Sequence, residues 1–500
     1  MTPAGAHHRW ALAALATILV WCALELTLRR TSAITDDQHG WRQADTQAIA
    51  RNLAFEELDP LRPRIDWRGD GPGYVETELQ LYPTLVALAM RATGESVWPG
   101  QLLSLACIAL AAALVYAALT RRFGPRAAYA GLLALLTCQG VVVAGTSIQP
   151  DPLAFLAYTV GFLAFAAWLA APTRARLAAW IAATALAGLV KPTTLELGVT
   201  QGVLVLLAHR GALRRPALWL GWGLVVAVVA AFLVHARSLY VEYGNTFGVL
   251  SGGDSKLPAL DAVLRPRTWI DLARFFVVWG VGLPAVPAAL YLAWRRRLGA
   301  EEAALAAGAL VLSLVALRYA SGPFGTHYHL PHVLLGAWLV ARATATLDDR
   351  VTTRALVAVA LAVALLLQAR ALRYVRSLPP QPETEVGRML ARVAPPGTHV
   401  VVRARAPRRD PDWRTPNNFE DPRVFYVSRT RGWAIANDDA GAAPVAELAA
   451  RGARFYAHVA QHPLDPELAT WLAAHATLVD TAPAGQLYRL DRVSRSSRTK

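Results

Sequence analysis

The chain has 500 residues, of which 55% are hydrophobic and 17% are charged, and its formal net charge is +15. A soluble chain of this length would form about three domains of roughly 150 residues each. Several apolar runs instead approach or exceed the ~18 residues that indicate a membrane-spanning helix. The composition therefore excludes an ordinary soluble protein and predicts a polytopic α-helical membrane protein.

Much of the positive charge lies in short loops between the apolar runs. Such basic loops stay on the cytoplasmic side of a membrane, whereas nucleic-acid binding needs a continuous basic face. We therefore expect these loops in the cytoplasm and no nucleic-acid partner. The basic residues concerned are Arg121, Arg122, Arg126, Arg174, Arg176, Arg210, Arg214, Arg215, Arg295, Arg296 and Arg297.

Taken in chain order, the apolar runs predict about eleven spans. The first run is too long for the apolar core of a cleavable signal peptide, so we interpret it as an anchor. With the N-terminus in the cytoplasm, the loops 30–98, 147–151, 237–271 and 320–328 face the extracytoplasmic side. The predicted spans are residues 9–29, 99–119, 126–146, 152–171, 175–190, 194–209, 216–236, 272–294, 302–319, 329–346 and 353–374.

Residues 376–500 change in character and predict a further extracytoplasmic domain. Glu383–Arg392 has a helical pattern, Thr398–Arg405 has the pattern of a strand, and helix and strand signals alternate again after them. We predict a small α/β domain in this part of the chain. Residues 1–375 are then a membrane module, which includes the outer loop 30–98.

Asp45 is the first candidate for chemistry, in the segment Trp41–Thr46 of the first outer loop. The spacing of Ala48, Ile49 and Asn52 predicts a short helix with Asp45 near its N-terminus, where the helix dipole stabilises a carboxylate. Two interpretations stay open on these residues alone. Asp45 is either a catalytic acid or a solvated acid at the start of a helix.

Two more charged residues lie at the ends of predicted spans on the same side of the membrane. Asp151 follows Pro150 and precedes Pro152, so it is either a reactive acid or an N-cap followed by proline at the first helical position. Lys191 lies between two apolar runs and either extends to the lipid headgroups or binds a lipid phosphate. Its predicted outer location runs against the positive-inside trend.

Polar residues also gather around the outer loop 320–328. Arg318 precedes this loop, His327 and Tyr328 end it, and His329 and His332 follow. Histidines three positions apart share one face of a helix. The pair His329 and His332 is therefore either a pair of metal ligands or a pair of interfacial residues.

Glu78 is a further candidate acid in the first outer loop, just before the stretch Tyr82–Arg91. That stretch is apolar but too short to span, which favours an amphipathic helix at the outer interface. The chain has no Walker A pattern, no dinucleotide fingerprint, no zincin helix and no GxSxG elbow. A nucleotide-driven pump and an enzyme with a soluble nucleotide-binding fold are therefore disfavoured.

Four short motifs, all on the predicted outer side, carry a resemblance to a known family. The chain resembles the GT-C membrane glycosyltransferases, in particular the bacterial family-39 type related to protein O-mannosyltransferases and to the aminoarabinose transferase of lipid A. Thr46 stands where that family usually has Glu, which leaves Asp45 as the single base. The motifs are Asp45–Arg51, Glu78–Pro83, Ser147–Pro152 and His327–Pro331.

The resemblance implies a sugar donor linked to polyprenyl phosphate, transfer with inversion to a hydroxyl on an unidentified glycan, lipid or protein, and a site on the extracytoplasmic side of a bacterial plasma membrane. It also leaves room for a divalent cation, Mg²⁺ or Mn²⁺, held by the acids. The implied catalytic residues are Asp45 and Asp151. The implied contacts to the donor phosphate or substrate are Arg42, Glu78, Lys191, Arg318, His327 and Tyr328.

Two other classes of function remain open from the sequence. A transporter or flippase for a lipid-linked sugar would explain charges at span ends, but we find neither internal repeats nor charges near the middle of the spans. A non-enzymatic membrane scaffold would use the C-terminal domain to bind a partner. That alternative leaves the grouping of acids, Lys191 and His327 on one side unexplained.

Overall fold

The computed structural model describes residues 3–29, 34–251, 260–347, 378–460 and 463–490, together with four isolated positions between 348 and 377. The chain forms two compact units. We refer to residues 1–32, 98–232 and 260–377 as the helical unit, and to residues 33–97, 233–259 and 378–500 as the α/β unit.

The described residues up to 347 are largely helical. Short 3₁₀ turns cover Ile34–Asp36, Pro192–Glu196, Arg210–Arg214 and Pro323–His332, and a π-helical segment covers Phe276–Val281. The α-helices are α1 (Pro3–Arg29), α2 (Gly40–Phe55), α3 (Leu81–Thr93), α4 (Trp98–Phe123), α5 (Pro125–Leu136), α6 (Gln139–Ala144), α7 (Asp151–Ala170), α8 (Arg174–Val190), α9 (Leu197–Ala208), α10 (Pro216–Tyr243), α11 (Leu260–Val263), α12 (Pro266–Phe275), α13 (Ala285–Trp294), α14 (Ala300–Val315), α15 (Leu317–Ala320) and α16 (Val333–Ala345).

Several of these helices are suited to a bilayer. By length and composition, four helices among the described residues can cross a membrane, namely His8–Thr27 of α1, and α4, α7 and α10. A fifth candidate is the pair Pro266–Val281 and Ala285–Trp294, which is bent by 98°. A protein with several apolar helices is thus confirmed. The number of eleven spans stays a prediction, and the predicted span 353–374 lies outside the described residues.

Two predicted spans are broken in the structure. The run 126–146 divides into α5 and α6, because Thr137 ends the first helix and Cys138 has an extended backbone. The run 272–294 bends at Gly282, whose φ of +80° lies in the region that glycine adopts without strain. Residues on both sides of each break are apolar, so hydropathy alone contains no signal for it.

The core of the helical unit depends on close approach between helices. At Gly131 of α5, an added Cβ would lie 2.8 Å from the carbonyl oxygen of Ala337 in α16. At Gly336 of α16, an added Cβ would overlap the carbonyl oxygen of Val281. Glycine at these positions lets backbones pack directly, as small residues do between membrane helices.

The C-terminal part of the α/β unit contains a five-stranded sheet of order β2-β1-β3-β5-β4. Strand β1 pairs in parallel with β2 and β3, and β5 pairs antiparallel with β3 and β4. The strands are β1 (His399–Arg403), β2 (Arg431–Ile435), β3 (Phe455–Val459), β4 (Thr477–Ala482) and β5 (Gly485–Arg489), and the helices are α17 (Pro382–Ala391), α18 (Arg423–Ser428), α19 (Ala442–Ala450) and α20 (Pro466–His475).

Helices cover both faces of this sheet. Residues of α19 and α20 pack around Val401 and Tyr456 on one face. Helix α17 packs on the other face, where an added Cβ on Gly485 would lie 2.8 Å from Val386. Because successive strand residues point to opposite faces, the side chains of β1 and β3 alternate between these two helix layers.

The compact units divide the chain differently from the predicted domains. The prediction placed the outer loop 30–98 with the spans, whereas the structure groups residues 33–97 with the C-terminal sheet. The physical reason is direct bonding. The Gly69 amide donates to the Gly432 carbonyl over 2.7 Å, and Arg431 of β2 forms an ion pair with Glu56.

Replacing Gly336 with alanine should destabilise the helical unit, because the new methyl group would meet a backbone carbonyl that cannot move aside. We expect Gly336→Ala to lower the free energy of unfolding by about 1–3 kcal/mol, the range typical of overpacking. Thermal unfolding of the purified protein in detergent measures the effect.

Gly202→Ala is the matched control, because Gly202 lies in helix α9 with open space where its Cβ would be. Alanine has the higher helix propensity, so this variant should be as stable as the wild type or more stable. Equal destabilisation by both substitutions would contradict the close approach at Gly336.

Candidate active site

Asp45 lies in the second turn of α2, in the α/β unit, and its side chain is buried. The residue is 4% exposed. Trp67 Nε1 donates a hydrogen bond to its Oδ1 over 3.0 Å. Its Oδ2 has no hydrogen-bond partner among the residues that the structure describes. One carboxylate oxygen is therefore held in place, and the other keeps its capacity to accept a proton.

The surroundings of Asp45 change its acidity. Burial raises the pKa of Asp45 well above its ordinary value, while the hydrogen bond from Trp67 lowers it. The charges of Asp421 and Asp66 raise this pKa further, and that of Arg42 lowers it. A carboxyl group whose pKa is shifted upward in this way is suited to proton transfer near neutral pH.

The interpretation of Asp45 as a solvated acid at a helix start is wrong. Helix α2 begins at Gly40, and His39 is its N-cap. The amide groups without a partner at a helix N-terminus belong to the first turn. Asp45 lies beyond that turn. The hydrogen bond from Trp67, and not the helix dipole that the sequence pattern predicts, stabilises its carboxylate.

The structure brings Arg42 and Glu78 together. Arg42 Nη2 lies 2.8 Å from Glu78 Oε1, and Thr77 Oγ1 donates to Glu78 Oε2 over 2.9 Å. Arg42 is three residues before Asp45 on α2, so the ion pair lies one helical turn from the buried acid. Arg51, at the end of the same motif, forms an ion pair with Asp66.

In the helical unit, Asp151 and Lys191 form a buried ion pair. Asp151 is the first residue of α7, and its N-cap is Pro150, so Asp151 is not itself the cap. Lys191 follows the last residue of α8. Its ammonium group contacts Asp151 inside the unit, which differs from an ammonium that extends to lipid headgroups.

Three more predicted residues, Tyr328, His327 and Arg318, lie close to this pair or are connected to it by aromatic rings. The Lys191 ammonium lies over the Tyr328 ring, 4.6 Å from its centre. The His327 and Tyr328 rings are 4.5 Å apart, and the Tyr319 and Tyr328 rings are 5.7 Å apart. The Arg318 guanidinium lies 5.3 Å from the centre of the Tyr319 ring. Aromatic rings thus connect the ion pair to Arg318.

The two histidines are buried beside each other in the helical unit. His329 Nδ1 and His332 Nδ1 face each other at 3.3 Å, and His329 Nε2 donates to the Ala320 carbonyl over 2.7 Å. Within the described ranges, no group of three or more His, Cys, Asp or Glu side chains is placed to hold a metal ion. A divalent cation at Asp45 or Asp151 stays a prediction, and no step proposed below passes through it.

Two residues of these sites escape prediction from the sequence. Trp67, the hydrogen-bond donor to Asp45, lies 22 residues after it in a polar loop, with no motif that connects the two. Tyr319 lies between Tyr328 and Arg318 in the row of rings. Its position directly after Arg318 is the one sequence signal that could have drawn attention to it.

Comparison with known proteins supports this description at the level of fold. The family model for dolichyl-phosphate-mannose-protein mannosyltransferases matches residues 81–235. ArnT from Cupriavidus metallidurans, in its apo state, has a similar structure, with 15% identity, a TM-score of 0.60, and coverage of 98% of this chain and 99% of ArnT. The same protein bound to undecaprenyl phosphate has 15% identity, a TM-score of 0.59, and coverage of 97% and 98%.

A more distant structural relative is the apo form of the Archaeoglobus fulgidus oligosaccharyltransferase. It has 12% identity and a TM-score of 0.54, and the match covers 89% of this chain and 69% of the archaeal chain. No curated protein matches the sequence. The chain thus has the GT-C fold that these membrane glycosyltransferases share, as the resemblance of its motifs predicts.

Replacing Lys191 with methionine should destabilise the helical unit, because the substitution removes the ammonium group from a buried carboxylate. Breaking a buried ion pair typically lowers the free energy of unfolding by about 3–5 kcal/mol. Thermal unfolding in detergent measures the loss.

The double variant Asp151→Asn/Lys191→Met is the matched control, since it removes both charges together. We expect it to recover most of the stability that Lys191→Met loses. A double variant as unstable as the single one would show that the Asp151–Lys191 pair is not the source of the effect.

Proposed function

We propose that the protein is a membrane glycosyltransferase that moves a sugar from a polyprenyl-phosphate donor to an acceptor hydroxyl, with Asp45 as the base. The observation that carries this proposal is the buried Asp45 carboxylate, with one oxygen fixed by Trp67 and the other without a partner among the described residues. The GT-C fold and the match to a mannosyltransferase family over residues 81–235 support the class of reaction.

In the proposed reaction, the acceptor oxygen attacks the anomeric carbon of the donor sugar. The acceptor O–H proton passes to Asp45 Oδ2 while the bond between the anomeric carbon and the phosphate oxygen breaks. The phosphate leaves with the bonding electron pair and remains on the polyprenyl chain. A single displacement of this kind inverts the anomeric centre.

Cations have the second role in this proposal, which is to stabilise the negative charge of the leaving phosphate. Lys191 is the first candidate, because its ammonium group is held between Asp151 and the Tyr328 ring. Asp151 then serves to orient the ammonium group and partly offsets its charge. Arg42, paired with Glu78, and Arg318, above Tyr319, are further candidates, with His327 beside Tyr328.

The donor and the location belong to the same proposal. ArnT from Cupriavidus metallidurans binds undecaprenyl phosphate, which supports a polyprenyl-phosphate donor for a chain of the same fold. We propose eleven spans in a bacterial plasma membrane, with Asp45 and the C-terminal domain on the extracytoplasmic side. The basic loops between spans would then remain in the cytoplasm.

Incubation of the purified protein with polyprenyl-phosphate sugars labelled in the sugar tests the reaction. Release or transfer of labelled sugar supports the proposal. A change of donor sidedness in liposomes without release would instead support a flippase. If neither occurs with a panel of hexose and pentose donors, the enzymatic proposal fails.

Asp45→Asn should reduce transfer by roughly a hundredfold or more, the usual contribution of a general base. The variant should also be more stable than the wild type at pH 8. Burial raises the pKa of Asp45 above its unfolded value, so the stability linked to this group is lost as pH rises through the folded-state pKa. Asparagine cannot ionise and avoids that loss.

Transfer assays and thermal unfolding at pH 5 and pH 8 test both parts of this prediction. Glu57→Gln is a matched control, because Glu57 is an exposed acid of the same unit. Normal turnover by Asp45→Asn would remove Asp45 as the base. A fall in activity that follows a fall in stability would point to a structural role.

Trp67→Phe should move the acidic limb of the pH–rate profile to higher pH. The Trp67 N–H stabilises the ionised form of Asp45 and so lowers its pKa, and phenylalanine lacks this donor. A base acts in its ionised form. Because the substitution raises the pKa of Asp45, a higher pH is needed to reach the same activity. The pH dependence of kcat/KM measures the shift.

Trp471→Phe, on helix α20 of the same unit, is the matched control and should leave the profile unchanged. An acidic limb at the same pH in Trp67→Phe and the wild type would mean that the titrating group is not Asp45.

A further inference from the structure

A second polar site lies in the α/β unit at the carboxyl ends of β1 and β3. The chain leaves β1 towards α18, which packs with α17, and leaves β3 towards α20, which packs on the opposite face of the sheet. Strands β1 and β3 are parallel neighbours, with β2 on the far side of β1. Where the segments after two such strands diverge, a crevice forms beyond their carboxyl ends, and ligands bind there in α/β proteins.

Arg403 and His458 occupy this edge. They are register partners on β1 and β3, so their side chains project from the same face of the sheet. Arg403 Nη1 lies 3.4 Å from His458 Nδ1 and donates to the Pro463 carbonyl over 3.2 Å. Its Nη2 donates to Asn437 Oδ1 over 2.5 Å. The guanidinium thus contacts residues that end or follow β2 and β3.

The charge of Arg403 has no acidic counterpart among the described residues. Arg403 is 7% exposed, and its hydrogen bonds join it to the Pro463 and Asn437 carbonyls, the Asn437 side-chain amide and the His458 ring. Arg423 of the same unit is 8% exposed, and it forms ion pairs with Asp421 and Glu383. Buried charges in proteins are normally paired with an opposite charge. The surroundings of Arg403 are therefore suited to a bound anion.

A buried hydroxyl adds a second donor. The Tyr456 side chain is fully buried, and its hydroxyl has no hydrogen-bond partner among the described residues. Tyr456 precedes His458 by two positions on β3, so both side chains lie on the face that carries Arg403. Burial raises the pKa of Tyr456, and the Arg403 charge acts in the opposite direction. The hydroxyl therefore keeps its proton and remains available to donate.

We propose that this edge of the sheet binds a small oxyanion, a phosphate or a carboxylate group. Arg403 supplies the positive charge, which attracts either group, and the Tyr456 hydroxyl supplies a hydrogen bond. Pro463 is exposed and Asn437 is half-buried, so the rim of the site reaches solvent above the buried guanidinium. The site is independent of the proposed glycosyl transfer, and its test does not measure that activity.

The test uses the full chain, purified in detergent in a buffer free of phosphate and sulfate. Inorganic phosphate and glucuronate are each compared with chloride at equal ionic strength, by thermal unfolding and by calorimetric titration. We expect at least one of the two to raise the unfolding midpoint beyond the effect of chloride, and the comparison shows which oxyanion the site takes. Arg403→Gln should abolish this difference. Arg408→Gln, at an exposed arginine paired with Asp439, should retain it.

Tyr456→Phe keeps the test decisive if Arg403→Gln does not fold. This substitution removes a hydroxyl without a described partner, so the free protein should lose no stability. The affinity for the oxyanion should fall by roughly 10- to 150-fold, since a hydrogen bond to a charged group contributes about 1.5–3 kcal/mol. The proposal is overturned if neither oxyanion exceeds chloride, or if Tyr456→Phe binds as tightly as the wild type.

Discussion

A charge that leaves water needs a partner, and this constraint organises both units of the chain. In the helical unit, the ion pair of Asp151 and Lys191 joins the start of α7 to the end of α8, and the Tyr328 ring covers the ammonium group. In the α/β unit, the buried pair of Arg423 and Glu383 joins the start of α18 to α17. Removing one member of such a pair leaves the other charge buried, so these pairs fix which segments lie together.

Asp45 differs from these residues because its carboxylate has no full counter-charge. This difference makes the group better able to accept a proton. A carboxylate with both oxygens bonded to cations would have a low pKa and little tendency to take a proton. Asp45 has a neutral donor, Trp67, on one oxygen, while Arg42 in the preceding turn is bonded to Glu78. Burial without a full counter-charge raises its pKa. The same group is thereby made less favourable for stability and better suited to accept a proton.

The sequence predicts the regular parts of the fold and the types of residue at the site, because both leave local patterns. The apolar runs of α4, α7 and α10 and the helix α3 follow from hydropathy, and the strand at Thr398–Arg405 corresponds to β1. The breaks at Cys138 and Gly282 leave no such pattern. Pairings also have no local signal: Asp151 and Lys191 are 40 residues apart, and Arg42 and Glu78 are 36 apart. Tertiary packing decides these contacts, so the sequence could name candidates but could not pair them.

The C-terminal segment contributes to the acidity of Asp45, although it is far away in sequence. Asp421, which immediately precedes the N-cap of α18, raises the pKa of Asp45 by its negative charge. Arg423 forms an ion pair with Asp421 and so limits that effect, while Glu383 shares the same arginine. Asp421 thus sets part of the electrostatic potential at the buried carboxyl group. The size of this effect depends on the distance between Asp421 and Asp45, because the Coulomb interaction between two charges falls with their separation.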